Sequence, residues 1–186
     1  GYTRAQPGWR RPVRRPKLQR NRSMHPLLGW PADQYWVVDS EHFEVSTNLN
    51  ARAARQVAEY LERVHAAWQQ LFYEYWTVPG RLAARFDGQN VSLGPDHTFD
   101  VVLFKDRDDY VNQLSRSEPQ IEMSIGYYAH SHKVAFFYPG DESARTTWVH
   151  EATHQFFQES GQVAPQVGEQ NNFWVVEGVA QYMESL

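Results

Sequence analysis

Thr146-Thr147-Trp148-Val149-His150-Glu151-Ala152-Thr153-His154-Gln155-Phe156-Phe157 is the stretch from which the rest of the chain can be read. Val149, Ala152, Thr153 and Phe156 recur with the 3.6-residue period of a helix buried along one side, and Gly161 stands where a C-capping glycine is expected. On such a helix His150 and His154 lie one turn apart and about 40° from each other, so both imidazoles can reach a single metal ion. Glu151, one residue on, falls beside that ion. In the pattern H-E-x-x-H the histidines are zinc ligands and the glutamate acts on water at the metal.

Catalytic zinc takes three protein ligands and keeps a fourth position open, so a further ligand is required from elsewhere. The stretch Phe173-Trp174-Val175-Val176-Glu177-Gly178-Val179-Ala180-Gln181-Tyr182-Met183-Glu184 reads as a second helix, with Val176, Val179, Ala180 and Met183 as its buried stripe. Glu177 lies at the edge of that stripe and is the candidate third ligand. A glycine inside a helix costs about 1 kcal/mol relative to alanine, so Gly178 predicts the close approach of another backbone, that of the H-E-x-x-H helix.

With Trp174, Glu177, Gly178, Ala180 and Tyr182 so placed, these two stretches resemble the gluzincin metallopeptidases of the thermolysin-like clan, in which a W-x-x-E-G-x-A-x-Y type helix follows H-E-x-x-H. More narrowly, Leu103-Phe104-Lys105-Asp106-Arg107-Asp108-Asp109-Tyr110 and Gly126-Tyr127-Tyr128 resemble segments of an uncharacterised bacterial domain family typical of planctomycetes. The resemblance covers most of residues 42 to 186. It implies one Zn²⁺ per chain held by His150, His154 and Glu177, with Glu151 as the catalytic base in hydrolysis of a peptide or protein substrate. It also implies an exported, extracytoplasmic protein. No G-x-M-E-N run of the aminopeptidase branch is present, so endopeptidase action is expected.

A second donor for the oxyanion is usually a Tyr or His in such enzymes, and Tyr127, Tyr128 and Tyr182 are the candidates here. Some gluzincins carry an aspartate four residues after the ligand glutamate to orient a ligand histidine; here that position is Gln181. The chain given ends at Leu186, nine residues past Glu177, whereas the other wall of a gluzincin cleft comes from later sequence. These departures leave an alternative of another class: a non-catalytic gluzincin-fold module for binding or scaffolding in a larger assembly, tethered by its basic arm. An accidental motif in an unrelated domain would place Glu177 far from both histidines.

That arm is residues 1–22, which hold eight of the 18 Lys and Arg and none of the 22 Asp and Glu. Arg10-Arg11-Pro12-Val13-Arg14-Arg15-Pro16-Lys17 cannot bury apolar surface, so it reads as an extended tail lying on its own acidic domain or on a protein or anionic partner. Residues 23–186 then form one domain, large enough for a core without staples. The absence of cysteine excludes disulfides, thiolate zinc sites and thiol nucleophiles. No run reaches the roughly 18 apolar residues of a membrane helix, and a signal peptide preceding Gly1 is compatible with the sequence.

The remaining elements follow from periodicity. Tyr35–Val38 and His42–Ser46 read as strands around a turn at Asp39-Ser40, and Thr47, Asn48 and Asn50 offer N-caps. From Ala51 to about Trp76, Val57, Leu61, Val64, Trp68, Leu71, Phe72 and Tyr75 mark a helix, on which His65 reads as a surface residue. Pro79 to Asp96 reads as a connecting segment and Phe99–Phe104 as a central strand, after which Asp106 caps a short helix through Leu114. Ile125–Ala129 and Val134–Tyr138 read as a hairpin, with His130 and His132 in its polar turn rather than on a metal. By the resemblance, the strand just before the motif helix forms the sheet edge at the cleft, where an extended peptide adds as a strand. The expected fold is α+β: the thermolysin-like N-terminal subdomain of a zincin, a small mixed sheet with the long helix and the motif helix on one face, then the glutamate-ligand helix.

Overall fold

Phe99-Asp100-Val101-Val102-Leu103 sets the middle of the sheet, because successive side chains of a strand face opposite sides: Phe99, Val101 and Leu103 give one side an apolar row, and Val102 gives the other an apolar residue beside Asp100. The computed structural model describes residues 3–4, 9–10, 17–20, 22–73, 80–91, 98–159 and 173–186. Its strands are β1 (Thr3–Arg4), β2 (Trp9–Arg10), β3 (Lys17–Arg20), β4 (Trp36–Asp39), β5 (Phe43–Thr47), β6 (Phe99–Leu103), β7 (Gly126–Ala129) and β8 (Val134–Phe137). Five α-helices accompany them among the described residues: α1 (Ala51–Leu71), α2 (Arg81–Phe86), α3 (Arg107–Leu114), α4 (Glu142–Glu159) and α5 (Phe173–Glu184). Apart from a minimal β1–β2 pair, the strands form one six-stranded mixed sheet in the order β3-β4-β5-β6-β8-β7. β5, β6 and β8 run parallel, and the β3–β4, β4–β5 and β7–β8 pairs are antiparallel. The protein is thus α+β, and no helix among the described residues is long and apolar enough to cross a membrane.

Each face of the sheet carries its own core. On one face Phe43, Val45, Phe99, Val101, Leu103, Ala135 and Phe137 meet α1 through Val57, Leu61, Val64 and Trp68, and α4 through Trp148, Val149, Ala152 and Phe156. Both long helices therefore share one face, as expected from the sequence. On the other face Val102, Phe104 and Phe136 pack with Trp30, Tyr35, Tyr110, Leu114 and Ile121. Local chemistry sets the boundaries. Asn50 Oδ1 accepts the Ala53 N–H at 2.9 Å to open α1, and Asp106 Oδ1 accepts the Asp109 N–H at 2.8 Å to open α3. The buried Thr47 hydroxyl donates to the Leu103 carbonyl at 2.7 Å, tying the ends of β5 and β6 together.

Several expectations are corrected. His65 is buried, not a surface residue: it sits four residues after Leu61 and three before Trp68, inside the apolar stripe, and burial pushes its imidazole down to about 3. The segment after Pro79 contains α2, a surface helix with no buried residue, which rests on the good helix formers Arg81, Leu82, Ala83, Ala84 and Arg85 between Gly80 and Gly88. The sheet begins within the stretch read as an arm, since Lys17–Arg20 pair with Trp36–Asp39. The strand directly before α4 is β8, which is internal; the sheet edge is β7. The first long helix ends earlier than expected: α1 stops at Leu71, where Phe72 leaves helical backbone angles as the C-cap, short of Tyr75 and Trp76. The expected C-cap at Gly161 lies outside the described residues.

Candidate metal centre

α4 and α5 pack through Val149, Ala152, Val176, Val179, Ala180 and Met183, the stripes that the 3.6 period marks on each. This packing brings the edge of α5 over the histidine face of α4. Nε2 of His150 lies 3.2 Å from Oε2 of Glu177, and Nε2 of His154 lies 3.2 Å from Oε1 of the same carboxylate. The separation expected of an accidental motif, Glu177 far from both histidines, is not observed. The two imidazoles meet edge to face with centroids 4.7 Å apart, and all three side chains are 14–25% exposed, so the cluster opens to solvent on one side.

The donor set fits a zinc ion. Two imidazole nitrogens and a carboxylate are zinc's usual ligand types, each Nε2 faces its own oxygen of Glu177, and one ligand atom from each of the three side chains lies within 4.8 Å of the others. The tautomer of His150 is set from behind: its Nδ1–H donates to Oε1 of Glu184 at 2.5 Å, which leaves the Nε2 lone pair for a cation. Burial pushes His154 down to about 4, with His150 and His130 nearby acting in the same direction, so its ring is neutral and able to ligate.

Glu151 is held apart from the ligands. Its Oε2 accepts the Tyr128 N–H from β7 at 2.9 Å, and burial pushes its carboxyl up to about 7 against the opposing pull of His150 and that hydrogen bond. The approach of β7 to α4 depends on Gly126. A Cβ there would lie 3.1 Å from Thr147 Cγ2, 3.2 Å from a Phe137 ring carbon and 3.4 Å from Glu151 Cγ. The close backbone approach expected at Gly178 is absent: Gly178 is exposed, and nothing lies within 4 Å of a Cβ placed on it. The small residue in the α4–α5 contact is Ala180, which is fully buried.

A cavity of about 170 Å³ adjoins Glu151, His154 and Glu177, walled by Tyr127, His130, Gln158, Phe173 and Val176. His130 and His132 sit in the polar β7–β8 turn, as read, but His130 also borders this cavity, its ring 4.9 Å from that of Tyr128. Of the tyrosines singled out, Tyr127 donates its hydroxyl to Glu118 at 2.7 Å and Tyr128 donates to Glu159 at 3.2 Å. Tyr182 is half exposed on α5. None of the three hydroxyls is directed at Glu151 by these bonds.

Glu184 escaped the sequence reading, which looked four residues past Glu177 and found Gln181. The signal was present in the helical geometry. At about 100° per residue, position 184 falls about 20° from Glu177 on the side of buried Ala180 and Val176, whereas position 181 falls about 40° away on the solvent side. Gln181 is accordingly exposed, and Glu184 reaches His150. Comparisons with protein-family models, with curated proteins and with solved structures find no match for this chain.

Proposed function

We propose that this chain is a zinc-dependent metallopeptidase of the gluzincin type, an endopeptidase acting on an extended peptide. The observation that carries the reading is one carboxylate, Glu177, 3.2 Å from Nε2 of both His150 and His154 while Glu151 stands beside them on a different hydrogen bond. When bound, zinc supplies Lewis acidity toward the scissile carbonyl and acidifies the attacking water. His150, His154 and Glu177 hold it, and Glu184 keeps His150 in the ligating tautomer. Glu151 takes a proton from the water as its oxygen bonds to the carbonyl carbon. It then delivers that proton to the amine nitrogen as the C–N bond breaks.

The hydrogen bond from the Tyr128 N–H holds the Glu151 carboxylate toward the β7 edge and off the ligand cluster. β7 ends the sheet on the side facing Glu151, so a peptide aligned along it as an added strand passes the base. The test is Glu151→Gln, a change of shape-matched side chain that removes the base. The expected result is zinc content equal to wild type with hydrolysis of an unfolded protein substrate lowered by about 10² to 10⁴-fold. Hydrolysis at the wild-type rate in this variant would overturn the mechanism, and zinc content unchanged in Glu177→Ala would overturn the ligand set.

A further inference from the structure

Away from α4 and α5, a second histidine–carboxylate group surrounds a side chain that the first leaves unexplained. His65 is 1% exposed, and among the described residues neither of its ring nitrogens has a hydrogen-bond partner. A neutral imidazole carries one N–H and one lone pair, and enclosing both unmet is unfavourable. Four of its ring neighbours are apolar in character: Trp68 stacks at 6.3 Å, and Phe43, Phe99 and Phe156 meet it at 6.0, 5.4 and 5.1 Å. A fifth is His42, at 4.2 Å, and one donor atom each from His42, Glu62 and His65 lies within 4.8 Å of the others.

Glu62 and His65 share a face of α1 at the i, i+3 spacing, and His42 comes from the β4–β5 turn. The carboxylate is oriented as a ligand would be. Its Oε1 accepts the Ser40 hydroxyl and the His42 backbone N–H, both at 2.7 Å, while Oε2 faces Nδ1 of His42 at 2.7 Å. Glu62 is buried, whereas the His42 side chain is 27% exposed and gives the cluster an opening to solvent.

We propose that His42, Glu62 and His65 form a second metal site, taking a divalent cation of the zinc type and separate from the His150, His154 and Glu177 set. Two imidazoles and one carboxylate match zinc in softness and number, with the open side left for water. The cation uses the lone pair of His65 and clips the β4–β5 turn to the middle of α1. Through the ring of Phe156 this clip lies against the opposite face of α4 from His154.

The experiment uses the full chain with His150→Ala and His154→Ala, a background that removes the first donor set whether or not that set holds zinc. Equilibrium dialysis against zinc followed by elemental analysis is expected to find one zinc per chain, with a rise in melting temperature on zinc addition. Adding His65→Phe, which fits the same aromatic surroundings, or His42→Ala, at the partly exposed turn, is expected to weaken binding by about 100-fold or more. No zinc in the double-alanine background would overturn the proposal, as would zinc that survives His42→Ala and His65→Phe. Should His65→Phe fail to fold, the His42→Ala result decides alone.

Discussion

His150 shows how much of this site depends on one imidazole facing two ways. Nε2 meets Glu177 and Nδ1 meets Glu184, so the same ring is both donor and prospective ligand. A charged acceptor on Nδ1–H raises the basicity of Nε2 and stops the ring from turning, and losing such a partner costs about 10 to 100-fold in metal affinity. Glu184→Ala is therefore expected to weaken zinc binding by that factor with the fold intact, since Glu184 is 26% exposed at the end of α5. Competition against a chromophoric chelator would measure this. Gln181→Ala should leave the affinity unchanged, and an equal loss in the two variants would show that Glu184 has no special part.

At the scale of elements, the two glycines near the site behave in opposite ways. Gly126 lets β7 lie against α4, and a methyl group there meets Thr147, Phe137 and Glu151 at 3.1 to 3.4 Å. Gly126→Ala is expected to destabilise by about 1 to 3 kcal/mol and to displace the strand whose N–H holds Glu151, lowering activity beyond the loss of stability. Gly178 has open space and lies inside α5 with an ordinary helical backbone, so Gly178→Ala is expected to stabilise by about 0.5 to 1 kcal/mol. Urea unfolding of both variants tests the pair. A destabilised Gly178→Ala would restore the close approach that the sequence suggested.

Across the whole sheet, the face away from α1 and α4 carries a row of carboxylates. Asp39 stands opposite Glu44, and Glu44 opposite Asp100, with Lys17 across from Asp39 at one end; Glu44 and Asp100 border a second cavity, of about 250 Å³, together with His25 and His132. Burial, then Asp100 and Asp39, raise the Glu44 carboxyl above its ordinary 4.5. A carboxyl whose pKa is raised on folding binds its proton more tightly in the native state, so its ionisation costs stability. That cost is absent well below 4.5 and grows as pH rises through the unfolded and then the folded value. Glu44→Gln should therefore raise the urea midpoint at pH 7 and leave it near wild type at about pH 3.5. A midpoint unchanged at pH 7 would mean that solvent screens the row completely.

Much of this architecture is legible in linear patterns, because the forces behind it are local or periodic. Apolar residues at the 3.6 period marked α1, α4 and α5, a β-branched run marked β6, Asp106 marked a helix start, Asn50 was one of three N-cap candidates with Thr47 and Asn48, and the spacing of His150, Glu151 and His154 settles their relative placement on one helix. The meeting of Glu177 with both histidines was expected from the sequence, but its 3.2 Å geometry rests on how α5 docks on α4. Other features have no linear signature. Glu184 behind His150, Gly126 rather than Gly178 at the close approach, and β7 rather than β8 at the sheet edge each follow from the packing of elements distant in the chain. His65 is the clearest case. Its position lies on the apolar stripe while its chemistry reads as surface, and only the assembly of α1, the β4–β5 turn and α4 around it buried the ring beside His42 and Glu62. Residue type and period determine which face of an element is apolar; which polar groups that face encloses depends on the partner it docks against.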